Sequence, residues 1–235
     1  MDAKDKIIVA LDVNSLDKAI SLVESLAPYV GCFKVGLELI TAAGAPRVIK
    51  LIHSHQGKIF YDGKFNDTPN TISGASKAIS KLNVKMFSIH ASAGVEAMMA
   101  AVANKGQSLV LAVTILTSLA ENNASLIFGG SSKSKVLQFA RDAKIAGCDG
   151  IICSPRELEF IGKQKELNGL LKITPGIRSE WALSGDQKRI MTPAEAIKAG
   201  STALIIGRPI TNPPIEIGTS IDAAKKIAEE IAAVL

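Results

Sequence analysis

The segment KIFYDGKFNDTPNTISGASKAISKL, residues 58–82, joins a short apolar strand to a longer amphipathic helix. Its first part contains the apolar and aromatic side chains typical of a buried strand, whereas residues 68–82 repeat apolar side chains every three or four positions, the period of a helix. Three charged residues, Asp62, Lys64 and Asp67, stand at the junction. Buried charges are costly unless they are paired, so the junction is a candidate functional site.

The same strand-and-helix unit recurs along the chain. Apolar strands are predicted at 7–12, 32–36, 58–64, 86–91, 108–116, 150–154, 171–177 and 203–210. Helices are predicted at 15–27, 46–56, 68–82, 94–106, 135–147 and 219–235, and capping boxes with proline at the first helical position mark two more helix starts, at 154–157 and 192–195. Eight parallel strands with intervening helices predict an α/β fold, a closed (β/α)₈ TIM barrel that forms a single domain over residues 1–235.

The alternative fold is an open, doubly wound parallel sheet. Such a sheet usually has a GxGxxG motif after its first strand. In this chain the corresponding turn reads VNSLD, residues 13–17. The closed barrel is therefore the favoured prediction.

Composition favours a folded enzyme over a nucleic-acid or membrane protein. Hydrophobic residues make up 47% of the chain and charged residues 21%, which allows a large core and argues against disorder. The net charge of +5 comes from scattered lysines, and no basic run is interleaved with aromatic residues, so nucleic-acid binding is not expected. A mild positive balance suits a small anionic substrate.

The cysteines and the N-terminus predict a cytoplasmic protein. Cys32, Cys148 and Cys153 are odd in number and form no CxxC motif, which favours reduced thiols. The histidines show no metal-ligand spacing, so no metal site is predicted. Residues 1–12 do not resemble a signal peptide, and no apolar stretch approaches the roughly 18 residues of a membrane span.

Polar residues collect at the carboxyl ends of the predicted strands, where barrels of this type carry their active sites. Taken singly, Asp12 could cap the next helix, Lys34 could lie on the surface and Arg208 could bind a helix C-terminus. As a set, such residues at the ends of apolar strands favour a functional site. The set is Asp12, Lys34, Asp62, Lys64, His90, Thr117, Pro175, Arg178, Gly207 and Arg208.

Four of these residues are expected to form an array of alternating charge. Asp62 and Lys64 are two positions apart, so on a strand both side chains face the same way, and Asp12 and Lys34 belong to neighbouring strands. Opposite charges keep the acids ionised and the lysines protonated, and such fixed charges stabilise charge that develops in a transition state. A lysine ammonium can also donate a proton. Asp67 lies beyond the strand, where it is either part of the site or an acid at the start of the next helix.

The last two strands predict an anion site. TPGIR (174–178) and IIGRPI (205–210) occupy the positions where many barrels hold a phosphate. The Gly207 amide allows close approach and Arg208 offers a planar guanidinium. The connection at 178–191 is long for this fold and is interpreted as a closing lid, in which Gln187 can hydrogen-bond a substrate.

Seven blocks resemble the orotidine 5'-phosphate decarboxylase family, in its order and spacing. They are VALDV (9–13), FKVG (33–36), DGKFNDTPNT (62–71), VTILTS (113–118), TPGIR (174–178), DQKR (186–189) and IIGRPI (205–210). DxKxxD alone is shared with sugar-phosphate decarboxylases and synthases of the same superfamily. Its combination with PNT, GIR, a DQ-containing loop and GRPI is specific for the family, and the resemblance covers nearly the whole chain.

The resemblance implies decarboxylation of orotidine 5'-monophosphate to UMP and CO₂, without a metal or an organic cofactor, in a homodimer. Lys64 is the implied proton donor to C6 of the pyrimidine, with Asp62 and Lys34 completing the charged array and Asp67 reaching in from the partner subunit. The implied substrate contacts are Asp12 and Lys34 at the ribose, Thr117 or Ser118 at the pyrimidine, and Arg178, Gln187, Gly207 and Arg208 at the phosphate, together with Asp62, Asp67, Thr71 and Pro175.

Three positions depart from the family pattern, and two other functions stay open. Gly63 replaces a larger apolar residue, and Asn66 and Thr68 stand where His and Ile are frequent. None of these changes removes a charge from DxKxxD, although Gly63 is expected to loosen the end of the strand. The alternatives are an enzyme that acts on a sugar phosphate with Mg²⁺ and a non-catalytic phosphate-binding barrel.

Overall fold

Eight parallel strands form a closed barrel in chain order in a computed structural model that describes residues 2–182 and 191–235. Strand β8 pairs with β1 and closes the sheet. The predicted (β/α)₈ barrel is confirmed, and the alternative of an open sheet is wrong. The strands are β1 Ile7–Ala10, β2 Cys32–Val35, β3 Ile59–Phe65, β4 Met86–His90, β5 Leu109–Val113, β6 Gly150–Ile152, β7 Leu171–Thr174 and β8 Ala203–Ile206.

Helices surround the barrel, and each predicted helix is present. They are α1 Leu16–Leu26, α2 Leu37–Ala43, α3 Ala45–Ser54, α4 Pro69–Ser80, α5 Val95–Ala103, α6 Glu121–Phe128, α7 Ser132–Ile145, α8 Leu158–Gly162, α9 Pro193–Lys198, α10 Arg208–Thr211 and α11 Ser220–Ala232. Both predicted capping boxes form, at Ser154 with Glu157 and at Thr192 with Glu195. Helices α2, α6 and α10 were not predicted, and α2 is separated from α3 by Gly44, whose φ of 77° favours glycine.

Three predicted strands extend three or four residues too far toward their carboxyl ends, whereas the other predicted strands end within two residues of the observed ends. The predictions at 108–116, 171–177 and 203–210 continue past the last residues of β5, β7 and β8. The chain stays apolar there, and Ile115, Ile177 and Ile210 are buried although they lie outside the ladder. Hydrophobicity therefore marks burial in this region and does not mark where strand pairing ends.

The inward-facing positions change from apolar to polar along the barrel axis. Alternate residues of each strand fill the interior, where Cys32, Phe60 and Met86 belong to one buried cluster. Two positions further along β2 and β3, the inward residues are Lys34 and Asp62, which are also buried. Apolar side chains therefore fill the amino end of the barrel, and buried charged side chains lie toward its carboxyl end.

Three cysteine thiols are buried in the core. Cys32, Cys148 and Cys153 are unbonded and buried. Burial raises the pKa of Cys32 to about 12 and that of Cys148 to about 12, so both thiols are protonated at neutral pH. Across residues 2–182 and 191–235, none of the helices combines the length and the apolar character that a membrane crossing needs.

Candidate active site

Four charged side chains form a continuous array at the carboxyl end of the barrel. Lys34 Nζ lies 2.9 Å from Asp12 Oδ1 and 3.6 Å from Asp62 Oδ2. Lys64 Nζ lies 2.7 Å from the same Asp62 oxygen. The structure thus brings together acids and lysines in alternating order, as the sequence predicts. Asp12 does not cap α1, because Ser15 is the capping residue of that helix.

Burial increases toward the centre of the array. The exposed fraction of the side chain is 58% for Asp12 and 28% for Lys64, but only 10% for Lys34 and 6% for Asp62. Two ammonium groups lie beside this buried carboxylate and offset the cost of burying its charge. Gly36 leaves room for the outer pair, since a Cβ atom there would lie 2.9 Å from Lys34 Nζ.

The array lines a cavity of about 320 Å³, the array cavity. Apolar side chains form its base, and several of the predicted substrate contacts form its rim. Its lining includes Ala10, Asp12, Lys34, Asp62, Lys64, Val113, Ile115, Thr117, Ile152, Pro175, Ile205 and Gly207. Within residues 2–182 and 191–235, no group of three or more His, Cys, Asp or Glu side chains is arranged to hold a metal ion.

Strand β3 is irregular where it carries the reactive charges. Its register against β4 shifts between Tyr61 and Phe65, and Lys64 has a φ of 47°, in the left-handed region. Such a conformation costs a lysine about 1–2 kcal/mol. Asp62 and Lys64 still meet on the same side, with Oδ2 and Nζ 2.7 Å apart, although the strand is irregular where they lie.

Two arginines line a second cavity, of about 400 Å³, the arginine cavity. Arg178 and Arg208 contribute to it together with Trp181. Gly207 lines the array cavity, and Arg208, the next residue in the chain, lines the arginine cavity. A cavity with two guanidinium groups next to a site of alternating charge suits a substrate with a remote anionic group.

Glu230 of helix α11 anchors the segment after β7 that borders the arginine cavity. Ser179 Oγ donates a hydrogen bond to Glu230 Oε2 (3.0 Å), and Trp181 Nε1 donates one to Glu230 Oε1 (2.9 Å). The amide of Arg178 donates to the carbonyl oxygen of Met191 (3.2 Å). Gln187, the predicted lid residue, lies outside the described residues.

A third and larger cavity, of about 720 Å³, opens beside the array cavity and is called the outer cavity. Thr117 and Pro175 line both, whereas Ser118 lines only the outer cavity. Arg156 and Glu157 also line it. Burial raises the pKa of the Glu157 carboxyl to about 7, and the hydrogen bond from the Ser154 amide acts in the opposite direction.

Comparison with known proteins identifies the family. The model of the "Orotidine 5'-phosphate decarboxylase / HUMPS family" matches residues 5–216. The chain belongs to this family. Orotidine 5'-phosphate decarboxylase of Moorella thermoacetica is 42% identical over 98% of this chain and 94% of its own length, and that of Heliobacterium modesticaldum is 42% identical over 99% and 98%. The crystal structure of orotidine 5'-phosphate decarboxylase from Lactobacillus acidophilus has a TM-score of 0.81 and 32% identity, and the match covers 96% of this chain and 98% of that one.

The departure from the family pattern at Gly63 is coupled to its neighbour Tyr61. A Cβ atom at position 63 would lie 2.4 Å from Cε1 of the Tyr61 ring. The half-buried ring therefore occupies the space that a side chain at 63 would fill, and it packs against Phe65 with ring centroids 5.8 Å apart. Glycine at 63 accommodates this ring, and its φ does not lie in the left-handed region.

Two predicted site residues of the family motif do not line the array cavity of their own chain. Asp67 and Thr71 are exposed. Asp67 Oδ1 accepts a hydrogen bond from the amide of Thr68 (2.6 Å), and Thr68, not Asp67, is the residue that precedes α4 as its N-cap. The hydroxyl of Thr71 lies 3.2 Å from that of Thr68.

Sequence reasoning missed Ser88 and assigned no role to His90, both on β4. Ser88 Oγ contacts Asp62 Oδ1 (2.8 Å) and the amide of Lys64 (2.9 Å). Burial, followed by the charge of Lys64, lowers the pKa of His90, so its imidazole is neutral at pH 7. The available signal was the inward position of Ser88, two residues before His90 on an otherwise apolar strand.

Proposed function

We propose that the protein decarboxylates orotidine 5'-monophosphate to UMP and CO₂ in the array cavity. The observation that carries this proposal is the pair of ammonium groups, Lys34 and Lys64, on one buried oxygen of Asp62. The arginine cavity next to it supplies a site for a phosphate, and the family assignment supports the choice of substrate. The proposed reaction needs neither a metal nor an organic cofactor.

The proposed chemistry uses Lys64 twice. When the bond between C6 and its carboxyl group breaks, CO₂ leaves and the electron pair remains on C6 in the plane of the ring. The Lys64 ammonium stabilises this negative charge and then transfers a proton to C6, which yields UMP. The neutral amine regains its proton from solvent, which the 28% exposure of its side chain allows.

Asp62 and Lys34 set the electrostatic surroundings of the Lys64 ammonium for this step. The Asp62 carboxylate holds the Lys64 ammonium at 2.7 Å, and Lys34 contacts the same carboxylate oxygen at 3.6 Å. These charges lie on the barrel wall before the substrate arrives. Little reorganisation is therefore needed when negative charge develops at C6.

The phosphate is proposed to bind in the arginine cavity. Arg208 begins the short helix α10, and Arg178 faces the same cavity from the end of β7. The phosphate is remote from C6, and the energy gained by binding it can orient the pyrimidine against the array. Gln187 is expected to join these contacts, and Thr117 or Ser118 is expected to contact the pyrimidine.

The proposed active form is a homodimer in which each subunit supplies Asp67 to its partner. Asp67 is exposed in its own chain, and it lies next to the strand that carries Lys64. The proposal can be tested with mixed dimers of two variants, Lys64→Ala and Asp67→Asn, each expected to be inactive alone. Random exchange should restore about one quarter of the wild-type activity, because a mixed two-fold dimer contains one intact site. No recovery in confirmed mixed dimers would contradict a shared site.

One assay tests the reaction itself. Purified protein in EDTA should lower the absorbance that distinguishes orotidine 5'-monophosphate from UMP, and it should release one CO₂ for each UMP formed. Activity confined to a sugar phosphate with added Mg²⁺ would instead support the sugar-phosphate alternative. Tight UMP binding without turnover would support the non-catalytic barrel.

We also infer a cytoplasmic location. Three unbonded, buried thiols suit a reducing compartment, where disulfides rarely form. Fractionation of the source cells with an antibody against the chain should recover it with cytoplasmic markers, and recovery with membranes would contradict the inference.

A further inference from the structure

A buried serine on β4 contacts both members of the Lys64–Asp62 pair. Ser88 is 0% exposed and does not line the array cavity, so it does not reach a substrate bound there. Its Oγ lies 2.8 Å from Asp62 Oδ1 and 2.9 Å from the backbone nitrogen of Lys64. One hydroxyl group thus contacts both of the residues that the proposed reaction uses most directly.

The contact lies at the irregular part of β3. Tyr61 pairs with Phe87 and Phe65 pairs with Ile89, so four steps along β3 correspond to two steps along β4. The surplus residues include Lys64, whose left-handed backbone is unfavourable for a side chain with a Cβ atom. Such conformations persist where surrounding contacts hold them. Ser88 stands directly opposite and bonds the Lys64 amide, which the shifted register removes from ordinary strand pairing.

The hydrogen-bonding capacity of a hydroxyl group assigns the direction of both contacts. Ser88 has one proton, and the Lys64 amide is a donor, so Oγ accepts from that amide and donates to Asp62 Oδ1. With Oδ1 occupied, Oδ2 is the oxygen left for the two ammonium groups, as the distances show. A rotated carboxylate would divide its two oxygens differently between Ser88 and the lysines.

We propose that Ser88 is a positioning residue for the decarboxylation, which fixes the rotation of the Asp62 carboxylate and the backbone of Lys64. This proposal rests on the proposed function, since it assigns to Ser88 the geometry of the proton donor. Loss of the hydroxyl leaves the Lys64 amide without its acceptor and allows Asp62 to turn. The Lys64 ammonium then shifts relative to C6, which slows the chemical step but leaves the phosphate and ribose contacts in place.

The test compares two buried serines. Ser108 is 2% exposed, and its hydroxyl donates to the Val84 carbonyl (2.7 Å) at the opposite end of the barrel. Ser88→Ala should lower kcat about 10- to 100-fold, with KM and the Kd of UMP within about twofold of wild type. Ser108→Ala should leave kcat and KM unchanged, even where thermal unfolding shows that both variants have lost stability.

A second variant keeps the test decisive. Ser88→Cys retains the size of the side chain but offers a weaker donor and acceptor, so an intermediate loss of kcat is expected. If Ser88→Ala does not fold, Ser88→Cys decides, and a kcat equal to wild type would overturn the proposal. A wild-type protein with no decarboxylase activity would overturn the proposed function instead. Full activity of Ser88→Ala in an active wild-type background would overturn only the role of Ser88.

Discussion

The two ends of the barrel each carry a lysine–carboxylate pair, and the two pairs differ in their surroundings. At the amino end, Lys105 Nζ lies 2.6 Å from both oxygens of Asp149, the residue that precedes β6. At the carboxyl end, Lys64 shares one oxygen of Asp62 with a second lysine, Lys34. The first pair is one cation on one carboxylate, whereas the second is part of a longer array.

The two ion pairs have different neighbours, from which we infer different roles. Asp149 also accepts a hydrogen bond from the amide of Val110 (2.8 Å), so its pair joins the starts of β5 and β6. Neither Lys105 nor Asp149 lines the array cavity, and the pair is expected to act only on stability. The Asp62 pair faces a cavity, and its lysine has a strained backbone. We therefore expect the Lys105–Asp149 pair to be structural and the Lys64–Asp62 pair, which lines a cavity, to take part in the proposed chemistry.

The largest expected effect comes from removing Lys64, at the carboxyl end of the barrel. Lys64→Ala should fold and bind UMP but lose about 10⁴-fold or more in kcat, because it removes both the proton donor and a charge beside C6. Lys105→Ala is the matched control and should keep full turnover. Steady-state kinetics, with UMP binding measured by calorimetry, checks both variants. Substantial turnover by Lys64→Ala would refute its assigned role.

The next largest effect is expected at the arginine cavity. Arg208→Ala should lower kcat/KM about 10- to 100-fold, mainly through KM, because a charged hydrogen bond to phosphate contributes about 1.5–3 kcal/mol. Trp181 is the one tryptophan of the chain and lines this cavity, so its fluorescence can report UMP binding. Arg156→Ala, in the outer cavity, is the control. An unaltered KM and kcat/KM for Arg208→Ala would count against phosphate binding there.

The contrast between the two ends also explains what the sequence could predict. The array was predictable because Asp12, Lys34, Asp62 and Lys64 interrupt apolar strands at their carboxyl ends, and closure of the barrel brings such ends together. The inward position of Ser88 could be inferred from its strand, but its proposed role could not, because that role depends on the shifted register between β3 and β4, which no local pattern indicates. The coupling of Gly63 to Tyr61 likewise depends on the direction in which one ring packs.

A smaller effect, on stability, is expected at the Lys105–Asp149 pair, at the amino end of the barrel. Lys105→Met keeps the aliphatic contacts of the lysine but leaves the carboxylate of Asp149 without its cation. Both side chains are about one quarter exposed, so the loss should be about 1–2 kcal/mol, or ~2–8 °C in Tm. Thermal unfolding of this variant beside Lys64→Met checks the contrast. Equal destabilisation by Lys64→Met, with no loss of turnover, would remove the distinction between the two ends.

The last expected effect is on the pH dependence of stability and concerns Glu157, an acid that lines the outer cavity. Burial raises the pKa of Glu157 to about 7, above its ordinary value near 4.5. A group whose pKa is raised by folding contributes stability that is complete below its unfolded pKa and is lost as pH rises through the folded value. Glu157→Gln removes this dependence and can still accept the hydrogen bond from the Ser154 amide. The variant should therefore gain stability relative to wild type between about pH 4.5 and 7, by up to about 3 kcal/mol, and the difference should level off above pH 7. Denaturant unfolding at several pH values measures it, and a difference that does not vary with pH would show that burial does not control this carboxyl group.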